Sequence, residues 1–212
     1  VINPLDEFAL TRAIELKEAL CGTITVIHVG LVDTEPLIRK AFAIGADAGI
    51  RVNIDPADCF LAGTQIAHYI KEGNYDFVFT GRETTDYEGA QVGGIIAEHM
   101  GWPFIAGVPK FDYDGTSATM EREVEGGKEK ITVNPPFVVS IQEGVCEPRI
   151  PSMRGIMSAR TKPLKVVEPV EGDAFVSVQS YDLPPPKGEC KYVEAENAEQ
   201  LIDLLHNEAK AF

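Results

Sequence analysis

The sequence has no cysteine pair spaced to form a conventional metal site. Its four cysteines are isolated along the chain, at Cys21, Cys59, Cys146 and Cys190. Zinc and iron–sulfur sites usually take ligands from C-x-x-C pairs, so we expect no metal in this protein. The four histidines, His28, His68, His99 and His206, are equally scattered and are predicted to be packing or surface residues. Isolated thiols are typical of a reducing compartment, which predicts a cytoplasmic protein.

Long hydrophobic runs and positive charge are also scarce. No apolar run approaches the roughly 20 residues needed to cross a bilayer, so we expect no direct membrane insertion. The formal net charge of −14 would repel a phosphate backbone, which argues against nucleic acid as a partner. A hydrophobic content of 44% and a charged content of 25% are typical of a soluble globular protein. A length of 212 residues allows one full-sized core and a smaller appendage.

Neither the G-x-G-x-x-G signature nor the Walker lysine–serine pair occurs in the chain. A polar turn with several glycines, residues 81–94, instead joins an apolar strand pattern at 75–80 to an apolar helix pattern. Such a turn directs unpaired N–H groups and the positive end of a helix dipole at an anion. Small residues at Gly89, Ala90 and Gly93 would let a ligand approach the main chain. The turn therefore indicates nucleotide or phosphate binding, with an ordinary strand-to-helix connection as the open alternative.

Strand and helix patterns alternate along the first part of the chain. The periodicity predicts helices at 4–20, 34–45, 58–72 and 90–101, and strands at 23–29, 49–53 and 75–80. Asn3 is expected to cap the first helix, which would begin at Pro4. This alternation predicts an α/β fold, a doubly wound and mostly parallel sheet with helices on both faces. Ligands bind such sheets beyond the carboxyl ends of the strands, where Val29 and residues 81–92 fall.

The pattern changes after Trp102-Pro103. Short antiparallel strands are predicted at 107–113, 116–124 and 128–134, because Asp114-Gly115 and Gly126-Gly127 suit tight turns. One more apolar strand is expected at 137–141. From Pro148 to Pro186 the chain is rich in proline, which predicts an extended arm. Asn197 is then expected to cap a final helix with an apolar stripe.

We therefore divide the chain into two parts. Residues 1–147 would form a nucleotide-binding α/β domain that carries the hairpin insert 107–134. Residues 148–212 would form a partner-recognition segment followed by a C-terminal arm with a terminal helix.

Five segments, in this order, resemble the β (small) subunit of the electron-transfer flavoproteins. They are NPLDEFA at 3–9, RKAFAIGAD at 39–47, DYEGAQVG at 86–93, EREVEGG at 121–127 and EPRIPSMRGIM at 147–157. The ordered set is far more specific than any one of its members.

The resemblance implies a fold of the adenine-nucleotide-binding type and a heterodimer with an α subunit. In that family one FAD lies mainly in the α subunit near the interface, and the common β subunit holds a structural AMP. The protein would carry electrons from acyl-CoA dehydrogenases to a quinone oxidoreductase, without catalytic side chains of its own. A bifurcating branch of the family instead carries a second FAD in the β subunit and takes electrons from NADH.

The sequence departs from the family pattern in three places. The family's first strand and the loop after it have no counterpart here, which predicts that an N-terminal piece is missing. The A-Q-V-G at 90–93 is closer to bifurcating members, whereas Tyr87 stands where a small or acidic residue is usual. The second ligand therefore stays open between AMP and FAD. Cofactor contacts are expected from Asn3, Val29, Thr84, Asp86, Tyr87, Ala90, Gln91 and Val92.

Within that set, main-chain N–H groups from about Ala90 to Val92 are expected to contact phosphate oxygens. Asp86 is expected to bond ribose or to brace the loop, because a carboxylate would repel phosphate. A role for Asp86 as a simple helix cap is the alternative.

The resemblance also implies partner contacts from Glu123, Met153, Arg154 and Ile156. Glu123 is expected to pair with an arginine of the α subunit. Met153 is expected to fill a pocket on the dehydrogenase, surrounded by the basic residues Arg149, Arg154, Arg160, Lys162 and Lys165. The alternative is a short helix that packs Met153 and Met157 inward. The arm is expected to wrap the α subunit and to bury Leu201, Leu204 and Leu205.

Two other classes of protein fit the pattern less well. A stand-alone nucleotide sensor on the same scaffold would need neither the hairpin insert nor the long arm. An adenylating enzyme would need a pyrophosphate-binding loop after the first strand, in a region that this sequence does not include.

Overall fold

The computed structural model describes residues 1–212 and contains two compact units, Val1–Ser177 and Val178–Phe212. The helices of the first unit are α1 (Pro4–Leu20), α2 (Glu35–Ile44), α3 (Cys59–Lys71), α4 (Val92–Met100) and α5 (Met153–Ala159). Its strands are β1 (Thr25–Val29), β2 (Ala48–Val52), β3 (Phe77–Gly81), β4 (Phe104–Val108), β5 (Lys110–Tyr113), β6 (Ala118–Val124), β7 (Gly127–Val133), β8 (Phe137–Ile141) and β9 (Leu164–Val167).

The strands form two parallel sheets and one antiparallel sheet, each with three strands. The parallel sheets have the orders β1-β2-β9 and β3-β8-β4, and the antiparallel sheet has the order β5-β6-β7. The α/β class, the parallel pairing and the small antiparallel region predicted from the sequence are confirmed. The parallel strands are distributed over two sheets rather than one.

Helices cover both faces of the sheet that contains β8. Val138 packs with Ile70 of α3 and Ile96 of α4 on one face. Its neighbours Phe137 and Val139 belong to a core on the other face, together with residues of α1 and the antiparallel sheet. All five residues of β8 are buried. This strand is therefore buried on both faces, as expected where helices and strands cover a parallel sheet from both sides.

A separate core joins α1 and α2 to the β1-β2-β9 sheet. Ile14 of α1, Ile38 and Phe42 of α2 and Ala159 of α5 are buried there, with Leu164 of β9 packed against them. A Cβ atom on Gly49 of β2 would lie 2.7 Å from the Phe42 ring. The absence of a side chain at Gly49 is thus what allows α2 to pack so closely on this sheet.

Most predicted limits are within two residues of those observed, and two differences have a clear structural cause. The strand predicted at 107–113 is two strands, because Phe104–Val108 pairs in parallel with β8 and only Lys110–Tyr113 joins the antiparallel sheet. Helix α4 begins at Val92 instead of residue 90, because Ala90 has a left-handed φ of 51°. In the first case strand pairing, and in the second the loop geometry, overrides the local hydrophobic pattern of the sequence.

The extended arm predicted from Pro148 is wrong as far as Val167. This part of the chain forms α5 and then β9, which pairs in parallel with β2. Beyond β9, the Gln65 side chain of α3 accepts from the N–H of Val170 (2.8 Å) and donates to its carbonyl (2.7 Å). The proline-rich segment as far as Ser177 is therefore part of the first unit. The functional division of the chain at residues 147 and 148 stays a prediction.

The second unit contains the helix α6 (Ala198–Asp203), followed by a π-helical turn, Leu204–Glu208. Asn197 precedes α6 but does not cap it, because its amide donates to the Gln200 side chain at 2.9 Å. Leu201 and Ile202 are exposed, whereas Leu204 and Leu205 are partly buried. Contact of this unit with a partner subunit stays a prediction.

None of the helices combines the length and apolar character that a membrane-spanning helix needs.

Candidate functional site

The start of α1 is bound to the end of β3 through Asp6. The Asp6 carboxylate accepts hydrogen bonds from the Gly81 N–H (2.6 Å) and from the Asn3 side chain (3.0 Å). The Asn3 amide also donates to the Glu83 carbonyl at 2.9 Å. A Cβ atom on Gly81 would lie 2.9 Å from the Asp6 nitrogen, so glycine is needed for this approach. The expectation that Asn3 caps α1 is wrong, because its side chain contacts Asp6 and the loop after β3 instead.

The loop between β3 and α4 has a strained backbone. Glu88 and Ala90 have φ angles of 49° and 51°, in the left-handed region that residues with a side chain rarely adopt. The Glu88 N–H donates to the Thr84 carbonyl at 2.9 Å, which closes a turn inside the loop. Backbone strain of this kind persists where the surroundings hold it and is common at ligand sites.

Asp86 braces this loop from within. Its carboxylate accepts from the Tyr87 N–H at 2.8 Å. A hydrogen bond from the Thr84 side chain is the largest effect lowering the pKa of Asp86, and the backbone N–H of Tyr87 adds to it against the opposing effect of burial. Helix α4 has no side-chain cap. Asp86 thus interacts within the loop and does not cap the helix.

The first turn of α4 closely approaches β3. A Cβ atom on Gly93 would lie 2.8 Å from the Phe104 ring and 3.0 Å from the Thr80 hydroxyl. The first N–H groups of a helix have no partner within it, so this turn presents donors beyond the carboxyl end of β3. The hydroxyl oxygen of Thr80 and the side-chain oxygen of Asn3 are both buried and without a hydrogen-bond partner. Helix N–H donors and buried polar atoms without partners therefore lie near both ends of the loop.

A second polar cluster lies at the ends of β1 and β2, where His28 and Arg51 are cross-strand neighbours. Arg51 is only 5% exposed and donates to the Gly30 carbonyl and the Asn53 side chain, both at 2.8 Å. Burial lowers the pKa of His28; Asp6 opposes this effect, and the positive charge of Arg51 adds to it. Sequence reasoning did not select His28, Arg51 or Asp6, because only the strand register and the packing of α1 bring them together.

The cofactor residues predicted from the sequence occupy the carboxyl edge of the strands. Val29 ends β1 and is buried, whereas Thr84, Asp86, Tyr87, Ala90 and Gln91 are exposed along the loop. Val92 is the first residue of α4. The Asp6 and Asn3 contacts place the start of α1 beside this loop.

Glu123 lies near the tip of the antiparallel hairpin and lines an open cleft of about 530 Å³. The same cleft is lined by Arg82 and Ala90 of the loop and by Gln142 after β8. The neighbouring Arg122 pairs across the hairpin with Glu129 at 2.8 Å. Glu123 itself is exposed. The hairpin and the loop thus border one surface.

Residues 149–162, which we call the docking segment, contain α5. The Ser152 hydroxyl caps the helix by accepting from the Gly155 N–H at 3.0 Å. Met153 and Met157 are 76% and 72% exposed, and Arg154 and Ile156 are exposed as well. The short helix of the alternative interpretation is present, but its methionines face outward.

The basic ring expected around Met153 is smaller than predicted. The Lys162 ammonium points inward and donates to the carbonyls of Phe42 (2.9 Å) and Ala46 (2.6 Å). Burial, opposed by the nearby Asp47 carboxylate, lowers the pKa of Lys162. Arg149 forms a bidentate pair with Glu18, with both distances 2.7 Å. Arg154, Arg160 and Lys165 remain as exposed cations.

Comparison with known proteins identifies the family. Residues 1–171 match the electron transfer flavoprotein domain. The chain is 38% identical to the electron transfer flavoprotein subunit beta of Bacillus subtilis, over 99% of this chain and 87% of that protein. The chain belongs to the electron transfer flavoprotein family. A β subunit of this family from Syntrophomonas wolfei is 35% identical, over 99% and 85% of the two chains. The human β subunit is 30% identical, over 96% and 83%.

Membership of this family gives the chain the role of a β subunit in electron transfer, with an α subunit as its partner and FAD as the flavin of the complex. No three histidine, cysteine, aspartate or glutamate side chains converge as metal ligands. The flavin supplies the redox chemistry, and the protein supplies its position and electrostatic surroundings.

The four cysteines are free thiols that differ in exposure. Cys21 and Cys190 are exposed, whereas Cys59 and Cys146 are partly buried. Burial raises the pKa of Cys146 to about 11, and the Glu15 carboxylate adds to the effect. Burial together with Asp58 and Asp86 also raises the pKa of Cys59.

We expect Cys146 to react far more slowly with iodoacetamide than Cys21. Only the thiolate reacts, and at pH 8 a pKa of about 11 lowers the thiolate fraction roughly a hundredfold relative to an ordinary thiol. Raising the pH from 8 to 10 should accelerate Cys146 labelling by about tenfold per pH unit. Peptide mass spectrometry measures both rates, with labelling in urea as the control. Equal labelling rates of Cys146 and Cys21 in the folded protein would contradict the raised pKa of Cys146.

Proposed function

We propose that this β subunit binds AMP at the loop between β3 and α4 and shuttles electrons within a cytoplasmic heterodimer. Its partner would be an electron-transfer flavoprotein α subunit, whose FAD site it helps to form. The electrons would come from acyl-CoA dehydrogenases and pass to a quinone oxidoreductase. The observation that carries this proposal is the strained loop at the carboxyl edge of β3, bound to the start of α1 in a chain of this family.

The chemistry of the loop fits an adenosine phosphate. The first turn of α4 offers N–H donors for a phosphate, which the helix dipole also favours. The buried oxygens of Asn3 and Thr80 beside this loop have no protein partner, so polar groups there still need hydrogen bonds. Asp86 stays within the loop as a brace, which supports a role in shaping the site rather than in contacting phosphate.

One observation favours a second candidate. The A-Q-V-G at 90–93 resembles bifurcating members of the family, in which a second FAD occupies this site and NADH is the electron donor. AMP and FAD share the adenosine phosphate that the loop would hold, so the count of bound nucleotides distinguishes the two functions.

We expect one FAD and one AMP per purified heterodimer, measured by chromatography of an acid extract. Asp86→Ala should lower AMP affinity about tenfold and leave FAD content unchanged, because the loop loses the carboxylate that holds Thr84 and Tyr87. Equilibrium dialysis with labelled AMP measures the affinity.

Asp114→Ala is the matched control. Asp114 accepts from the N–H groups of Thr116 and Ser117, both at 2.8 Å, in a turn of the antiparallel sheet. Its loss should leave AMP affinity unchanged. Two FAD and no AMP would establish the bifurcating alternative, and neither nucleotide at this loop would refute both.

Glu123 is a candidate contact for the α subunit. It is exposed and lines the cleft beside the loop between β3 and α4, and its cross-strand neighbour Lys128 forms no ion pair with it. We infer that an arginine of the α subunit supplies the opposite charge. Such a pair would hold the flavin-bearing part of α near the hairpin.

We expect Glu123→Gln to loosen that contact and to change the rate of flavin reduction by less than about fivefold, because exposed pairs contribute only about 0–1 kcal/mol. Stopped-flow reduction and small-angle X-ray scattering of the heterodimer measure the rate and the domain motion. Glu125→Gln, a neighbouring charge of the same hairpin, is the control. The proposal fails if Glu123→Gln changes neither quantity or if both variants behave alike.

The docking segment presents an apolar surface suited to a dehydrogenase. Met153 is exposed at the start of α5, and its flexible thioether can adapt to pockets of different shape. The exposed cations Arg154, Arg160 and Lys165 can steer an acidic partner. We infer that Met153 fills a pocket on the dehydrogenase, with Arg154 and Ile156 beside it.

We expect Met153→Ala to raise the apparent KM of an acyl-CoA dehydrogenase for the heterodimer severalfold. Burial of one such side chain contributes roughly 1.5–3 kcal/mol, of which alanine keeps a part. Flavin content and melting temperature should not change, because Met153 is exposed in the subunit. Met157→Ala, the same residue type on the same helix, should have a smaller effect. Equal losses of coupling and stability would place Met153 in the core instead.

A further inference from the structure

Helix α5 packs against α2 with no space for a side chain at Gly155. A Cβ atom there would lie 2.2 Å from the Ala43 carbonyl oxygen, which belongs to the backbone and cannot rotate away. Any larger residue must therefore shift one helix relative to the other. Gly155 fixes the distance between the docking segment and α2.

Arg39 of α2 holds the C-terminal end of α5. One nitrogen of its guanidinium donates to the carbonyls of Ala159 (3.1 Å) and Lys162 (2.9 Å). The last carbonyls of a helix lack partners within it, so these bonds replace those that the short helix cannot make. The other guanidinium nitrogens bond to Glu35 at 2.9 and 3.0 Å, and the group lies 5.5 Å from the Phe42 ring centroid.

Lys162 makes the reciprocal contact. Its ammonium donates to the carbonyls of Phe42 and Ala46 at the C-terminal end of α2. Arg39 of α2 thus donates to carbonyls near the C-terminal end of α5, and Lys162 donates to carbonyls near the C-terminal end of α2. The two helices are bound together at both of these ends.

This arrangement determines which face of α5 is exposed. Seven residues are too few for a stable isolated helix, so its orientation comes from these contacts. Ala159 is buried against α2, whereas Met153 and Met157 project outward. A helix whose backbone is already held in place loses less conformational entropy when the partner docks.

We propose that Arg39 and Gly155 are positioning residues that hold α5 on α2 so that Met153 is presented to the dehydrogenase. This inference rests on the proposed docking function of Met153. Neither residue would contact the partner's pocket or the flavin.

The test compares Arg39→Ala and Gly155→Ala heterodimers in the dehydrogenase assay. Both should raise the apparent KM for the heterodimer about threefold to tenfold at unchanged kcat, since encounter is impaired and electron transfer is not. Hydrogen exchange of the amides in residues 154–160 should accelerate in both variants. In a Met153→Ala background the additional effect of Arg39→Ala on KM should fall below about twofold, because the residue it positions is gone.

Arg12→Ala is the matched control. Arg12 pairs with Glu15, donates to the Phe111 carbonyl at 2.8 Å and lies 5.7 Å from the Phe111 ring centroid. It makes the same kinds of contact as Arg39, but with the antiparallel sheet. Its loss should leave the KM and the exchange of residues 154–160 unchanged.

Each result has a defined meaning. No effect of Met153→Ala on KM refutes the docking function itself. If Met153→Ala raises the KM but Arg39→Ala and Gly155→Ala do not, the positioning role is overturned and the docking function stands. The same holds if the effects of Arg39→Ala and Met153→Ala on the KM are fully additive. If Arg39→Ala yields no heterodimer, Arg39→Lys and Gly155→Ala decide by the same criteria, since lysine keeps the charge near Glu35 but not the planar fork.

Discussion

The Asp6 carboxylate is the contact on which the loop between β3 and α4 depends. It accepts from the N–H of Gly81, the last residue of β3, and from the side chain of Asn3. The Asn3 side chain in turn donates to the carbonyl of Glu83 in the loop. A carboxylate that accepts two such bonds is held firmly, because bonds to a charged acceptor are stronger than neutral ones. The start of α1 and the end of β3 are thereby fixed to each other.

A comparable arrangement holds α5 on α2. Arg39 and Lys162 each bond carbonyls near the C-terminal end of the opposite helix, and Gly155 allows the two backbones to approach. The proposed nucleotide and docking surfaces therefore have a common physical basis. Each consists of exposed residues on a short segment whose geometry is fixed by buried or half-buried polar contacts beneath it. An electron carrier needs such defined surfaces, because the protein itself contributes position and not bond chemistry.

Much of the fold could be predicted from local pattern. The helices α1 to α3 and the strands β3 and β8 have strong periodicity, and their predicted limits fall within a few residues of those observed. The prediction failed where a partner strand decides the structure. The sequence predicts one strand at 107–113, yet Phe104–Val108 pairs with β8 and Lys110–Tyr113 pairs with β6. The sequence predicts an arm without regular structure after residue 148, yet Leu164–Val167 forms β9 and pairs in parallel with β2.

The sequence by itself determined the α/β class, the order of the elements as far as α4 and the family, since ordered short motifs and hydrophobic period are local properties. It also located the loop at 81–93 and the exposed Met153. Only the tertiary structure decided that Asp6 braces the loop, that His28 and Arg51 are neighbours, and that Lys162 faces inward rather than joining the basic ring. The physical reason is that these contacts join residues far apart in the chain. Strand register and helix packing set their distances, and neither is encoded in a local pattern.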